Sequence, residues 1–333
     1  MSRFLLLAIL LSPFFAPYST PTHTPQTLNS RLQLAVRYLI SHFNPDVGLV
    51  YESEDEGTHW LKRTEYPNYQ WKYTQTYWLY SDNLFAAYAL LPWAPEIAHR
   101  INETINRYNP PLSGKFEAVI GQPVGPDRMA RDIILNKTDN YAVLIRVHDG
   151  RTADPRYHFA DAMIYEALTR YYTSQIKEAR EELREVAAMW NGTCMVDYGV
   201  TQSRLNPENA PSDIGFCINF KLALLLYGSQ LIGVDLPNFG QLADTLWKMQ
   251  KENGGITTLS TGRGEPIGSA NTETTSLTLL IYNSALIAKL QHSTAMSEAR
   301  LYQELLIALV MTALITAVYL SRKVHITWRQ ISL

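Results

Sequence analysis

This sequence predicts a mainly all-α protein: an (α/α) toroid, or an open arc of helical hairpins with long polar loops, plus one C-terminal transmembrane helix. Segments apolar on one helical face alternate with segments apolar nearly all round, as outer and enclosed helices would. A faint repeat of Gly turn, polar excursion and acidic helix start recurs along the chain. Near the end, Leu305 to Leu320 carries no charge and is followed at once by Arg322 and Lys323.

The termini frame the rest. Residues 1–18 read as a signal peptide. Arg3 gives a positive start, Phe4 to Leu11 is too short to span a bilayer, and Pro13 and Pro17 break the run. Residues 19–27, rich in Thr and Pro, read as a flexible connector. The main domain covers residues 28–296. Residues 304–321 are the expected membrane partner segment, with Tyr302 and Tyr319 at its edges. Residues 322–333, with Arg322, Lys323 and Arg329, then form a cytoplasmic tail by the positive-inside tendency. This is a single-pass topology in the cell membrane, with the main domain outside. Three sequons face outward on it, at Asn102, Asn136 and Asn191, and are candidates for glycosylation.

Within the domain, Leu28 to Phe43 places Leu28, Leu32, Ala35 and Leu39 on one face. Ser81-Asp82-Asn83 caps Leu84 to Leu91, which is almost wholly apolar. Pro95 to Tyr108 keeps His99, Arg100 and Glu103 on a wet side. Met129 to Val147 reads either as another helix or as part of a sheet. Tyr157 to Tyr172 carries Phe159, Met163, Ala167 and Tyr171. Ser174 to Trp190 is strongly amphipathic, with Ile176, Ala179, Leu183, Val186 and Trp190 on one side. Asp213 to Ile232 is apolar nearly all round, broken only by Asn219 and Lys221. Phe239 to Lys251 is amphipathic, and Asn271 to Leu290 is apolar nearly all round again.

The stretch Gln250 to Asn283 shows one whole unit. Asn253-Gly254-Gly255-Ile256 stops a helix, with Gly available for the left-handed residue. Ile256 to Ile267 is a Thr-, Gly- and Ser-rich loop with room for a short extended piece. Asn271 or Thr272 caps the next helix, and Glu273 sits where the helix dipole favours negative charge. These residues, with Gln250 and Thr274-Thr275, resemble the repeat of the (α/α) toroid superfamily. That superfamily takes in the six-hairpin glycosidases and the terpenoid-cyclase/prenyltransferase-type barrels. The resemblance covers one unit clearly and concerns architecture. It implies that inner helices start on one shared face, where the glycosidases place their acids. The isoprenoid enzymes use an Asp-rich motif or a zinc site. The sequence has no DxDD or DDxxD run and no zinc ligand set.

The acids on the expected face are Asp82, Asp161, Asp213 and Glu273, each at or near a helix start. The plain reading of each is a helix cap, worth about 1 kcal/mol. The sharper reading is catalytic: glycoside hydrolysis needs two carboxyl groups on one cleft. Trp71, Tyr77, Trp78 and Tyr80 crowd the start of Leu84 to Leu91, with Asn83 beside them. Flat rings suit pyranose faces, so these are candidate ligand-binding residues; edge packing of a long loop is the alternative. Asp197-Tyr198 is a further polar pair, and Tyr198 joins the ligand-binding candidates. Cys194 and Cys217 form one disulfide if the chain is exported, and two buried thiols otherwise.

Composition narrows the classes. Lys plus Arg (29) nearly balance Asp plus Glu (31) and are scattered, which argues against nucleic acid as a partner. Without a Walker A, G-x-G-x-x-G, G-x-S-x-G or H-E-x-x-H motif, neither a cofactor nor a metal is expected. The expected function is a membrane-anchored surface protein with a glycan ligand: a hydrolase, lyase or epimerase if it is an enzyme. The alternative is a non-catalytic surface module that binds a protein partner or the cell envelope.

Overall fold

Between the helices lie three small sheets. The architecture is therefore mixed α/β, which corrects the expectation of a mainly all-α toroid. The structure is a computed structural model and describes residues 27–53, 75–122, 128–152, 159–197, 216–296, 303 and 306–312. Helix α1 (Leu28–Ser41) leads into strands β1 (Phe43–Asn44) and β2 (Leu49–Val50). Strand β3 (Gln75–Trp78) passes through a π turn (Leu79–Asn83) into α2 (Leu84–Leu90) and α3 (Pro95–Tyr108). A 3-10 turn (Phe116–Ile120), β4 (Arg128–Lys137) and β5 (Tyr141–Thr152) precede α4 (Ala160–Tyr172) and α5 (Ile176–Ala188). Then come β6 (Phe216–Ile218), α6 (Asn219–Ile232), α7 (Phe239–Lys248), β7 (Ile256–Thr261), β8 (Pro266–Asn271) and α8 (Thr272–Ile281). Residues 284–296 form a further helix, α9.

The correction has a local cause. The stretch left open between helix and sheet is sheet: β5 runs antiparallel to β4 and parallel to β3. Ile133 faces Ile145 and Ile134 faces Leu144 across the ladder, and such pairs suit a pleated, half-buried surface. The Thr-rich excursion after α7 also pairs, as the β7–β8 hairpin, with Ile256 opposite Asn271 and Thr257 opposite Ala270.

Helix limits shift for similar reasons. The stretch beginning at Asp213 enters its helix only at Asn219, because Phe216–Ile218 is strand. The stretch Asn271 to Leu290 is two helices. The Asn283 carboxamide oxygen accepts from the Leu286 N–H at 3.1 Å, and its amide donates to the Tyr88 carbonyl at 3.1 Å. That side chain starts a new helix.

The two all-apolar helices are enclosed. In α6 every residue but Phe220 and Gln230 is buried, and in α8 every residue but Glu273. Helix α8 packs against α1, α2 and α6, and α6 against α4. Helix α1 seats on the turn before β7. A Cβ on Gly254 (φ +93) would stand 2.2 Å from the Leu34 carbonyl oxygen, and one on Gly255 would meet Tyr38 and Ala270 at 2.5 Å. Only glycine permits that approach. Tyr38 completes the seat by donating to the Ala270 carbonyl at 2.9 Å. Cys194 and Cys217 form a disulfide with Cα atoms 5.3 Å apart, tying the turn after α5 to β6.

No helix among the described residues is long and apolar enough to cross a membrane, which corrects the expected transmembrane helix at residues 304–321. Of that stretch, residues 306–312 are helical, with Leu306, Ile307, Leu309, Val310 and Met311 exposed. The rest of it lies outside the described residues, as do the expected signal peptide (1–18), the connector up to residue 26 and the tail (322–333).

Candidate functional site

The starts of α2, α4, α6 and α8 converge on one cavity of about 230 Å³. Asp82, Asp161 and Glu273 line it together, joined by Glu52, Lys115 and Arg146. Trp78, Tyr80, Phe116, Tyr165 and Phe220 supply ring surface.

At one end three carboxyl groups gather. Glu52 follows β2 and is held by its backbone. Its N–H donates to the Thr76 carbonyl and its carbonyl accepts from the Thr272 N–H, both at 2.8 Å. The Trp78 indole N–H donates to its Oε2 at 3.2 Å. Burial pushes the Glu52 carboxyl up to about 7, against the pull of that hydrogen bond and of Arg146. Glu273 lies in the first turn of α8, where Asn271 caps the helix by accepting from the Thr274 N–H at 3.1 Å. Burial pushes it up to about 7 as well; Arg146 pulls it down, and Glu52 and Asp161 add repulsion.

Asp82 belongs to the π turn before α2. Its neighbour Ser81 holds φ 56 and ψ −87, outside the helical region. A non-glycine residue there stores strain, of order 1–3 kcal/mol, that the surroundings must hold in place. Asn83 supplies the hold. It is fully buried; its amide donates to the carbonyls of Val50 at 3.0 Å and Trp78 at 2.7 Å, and its oxygen accepts from the Val50 N–H at 2.7 Å. Asp82 is 2% exposed. Its Oδ1 accepts from the Ser81 hydroxyl at 3.2 Å, while Oδ2 has no hydrogen-bond partner among the described residues. Burial, then the Glu52 and Glu273 charges, hold its carboxyl well above the usual range.

The other end is an ion cluster. Lys221, buried in the first turn of α6, lies 3.3 Å from Asp161 Oδ1 and is also ion-paired with Asp197. Asp197 Oδ2 in turn accepts from the Ala160 N–H at 2.9 Å, fixing the start of α4. Burial acting alone would raise the Asp161 carboxyl, but Lys221 and then Lys115 hold it below the usual range. Burial likewise opposes the Lys221 ammonium, and Asp161 and Asp197 outweigh it to hold its titration above the ordinary lysine range. The two remaining cations lie on rings of the wall. Lys115 is 5.6 Å from the centre of Tyr165, and Arg146, bound to Asp132 at 2.8 Å, is 5.7 Å from that of Trp78.

Of the four expected acids, three meet here; Asp213 lies outside the described residues. Trp78 and Tyr80 line the cavity. Trp71 and Tyr198 lie outside the described residues. Tyr77 is fully buried away from the lining, in contact with Asn44 and Gln75. Asn83 serves the backbone and does not reach the cavity. Of the sequon asparagines, Asn136 and Asn191 are exposed and Asn102 is part-buried. Sequence reasoning missed Glu52, Lys115 and Arg146, which no motif marks. Lys221 did carry a signal: a lysine inside an otherwise apolar helix needs a buried anion. Among the described residues no group of three or more His, Cys, Asp or Glu side chains is arranged to hold a metal ion.

Comparison with known proteins gives no match: no protein family, no curated protein and no solved structure is detectably similar to this chain.

Proposed function

We propose that the cavity carries out acid–base chemistry on a glycan. The observation behind this is the pairing, in one cavity, of carboxyl groups pushed to opposite protonation states. Near pH 6 Asp161 is ionised, beside Lys221, while Glu52 and Glu273 hold protons, and burial with its acidic neighbours holds the Asp82 carboxyl well above the usual range. Neighbouring carboxyls with separated titrations are what a reaction needing both a proton donor and a proton acceptor uses. Glycoside cleavage is such a reaction, and the rings of Trp78, Tyr80 and Phe220 offer flat surface for a sugar. In this reading Asp161 is the ionised base or nucleophile, and Glu273, poised near neutrality, is the proton donor. The Cys194–Cys217 disulfide supports work in an oxidising compartment.

A panel of polysaccharides, scored for new reducing ends, tests the reading. We expect one class to be cleaved, with turnover falling by about a hundredfold or more in Asp161→Asn and in Glu273→Gln. Wild-type activity should fall as pH rises through about 7, where Glu273 loses its proton. Turnover that survives both substitutions would rule this assignment out.

A further inference from the structure

We propose that the acid end of the cavity receives an ammonium group, so that the sugar bound there is an amino sugar with a free amine. This rests on the glycan reading above and names its substrate class. The first support is geometric. Asp82 is almost completely buried, lines the cavity, and has one carboxyl oxygen with no hydrogen-bond partner among the described residues. An unmatched acceptor in such a place is costly until something donates to it. The second support is the company it keeps. Glu52 and Glu273 act on it as like charges. The cation acting on both glutamates is Arg146, with Lys115 contributing more weakly to Glu273. Arg146 is already bound through two nitrogens to Asp132, at 2.8 and 3.4 Å.

The third support is a comparison within the same cavity. Where Asp161 and Asp197 approach one another, a lysine ammonium sits on both. Around Glu52, Asp82 and Glu273 no lysine of the described residues does so. A neutral hydroxyl would donate to Asp82 but would not stabilise an ionised carboxylate among its acidic neighbours. A uronate would bring one more acid to them. An ammonium donates and also stabilises the carboxylate left when one of these acids gives up its proton, and the Trp78 and Tyr80 rings at the same end suit a cation.

The test is calorimetry on the full chain at pH 6, with three oligosaccharides of equal length: β-linked glucosamine, its N-acetylated counterpart, and galacturonate. Titration in two buffers of different ionisation enthalpy reads proton exchange. The groups facing Asp82 are Glu52 and Glu273, with Arg146, Asp132, Asp161 and Lys115 around them. A cation arriving among them displaces a proton, so the glucosamine oligomer should bind with proton release and about tenfold or more tighter than the acetylated one. Asp82→Asn should bring the affinities for the glucosamine and acetylated oligomers to within about twofold of each other and abolish the proton release; Glu52→Gln provides the same reading should Asp82→Asn not fold. Equal or tighter binding of the acetylated or galacturonate oligomer overturns the amine proposal and leaves the glycan reading standing. If none of the three binds and no polysaccharide is cleaved, both fall.

Discussion

Asp82 and Asp161 share a cavity, a side chain and the same opposing force, yet end in opposite states. Burial raises both carboxyls. At the Asp161 end a buried lysine reverses the effect; at the Asp82 end two further carboxyls add to it. What decides the protonation of an enclosed acid here is the sign of its nearest neighbours, with burial common to both. Those neighbours come from distant parts of the chain: Lys221 from α6, Glu52 from the end of β2.

The strongest way to erase the contrast is Lys221→Met. Asp161 and Asp197 would then be enclosed without their cation, and breaking a buried pair from one side costs about 3–5 kcal/mol. Urea unfolding of this variant should show a loss of that size, and adding Asp161→Asn and Asp197→Asn should restore much of it. A loss under 1 kcal/mol would mean that the lysine is not what separates the two ends.

A smaller effect lies in pH. Glu52 and Glu273 titrate near 7 in the folded chain, against an ordinary value of 4.5. Between these values the folded state holds protons that the unfolded chain has released. Their contribution is therefore fully present below 4.5 and is lost as pH rises through about 7. The decline should be on the order of 2 kcal/mol or more. Unfolding measured across this range should show it, and Glu52→Gln should flatten it. A stability that climbs from pH 5 to pH 7 would contradict the assignment of protons to this end.

The mildest change is Asn271→Ala, which removes the cap that orients the first turn of α8 and with it Glu273. A cap of this kind contributes about 1 kcal/mol. Thermal melting should register that loss, and the alkaline limb of any activity profile should move from its position near pH 7.

Part of this was legible beforehand. A carboxylate beside a helix start is visible in a string of letters, and three such residues, Asp82, Asp161 and Glu273, do face one cavity. Their helices were legible too, because apolar periodicity is local. The sheets were legible only as open alternatives, for residues 129–147 and 256–267, and their pairing was not. Strand pairing joins residues far apart, such as Gln75 with Tyr141 and Phe216 with Thr261, and Thr- and Ser-rich strands look like loops until they find partners. Glu52 was hidden for the same reason. It stands at the end of a two-residue strand with no motif, and what brings it to Glu273 is pairing of Ser53 with Asn271.

The Asn83 side chain gives the molecule a lever. One amide fastens the segment carrying Asp82 to Val50, and so ties the position of that carboxyl to the small β1–β2 hairpin. Changes made near residues 43–50 will therefore be felt as changes in aim at Asp82. Grafting or lengthening that hairpin offers a handle for retuning reactivity without touching any group inside the cavity.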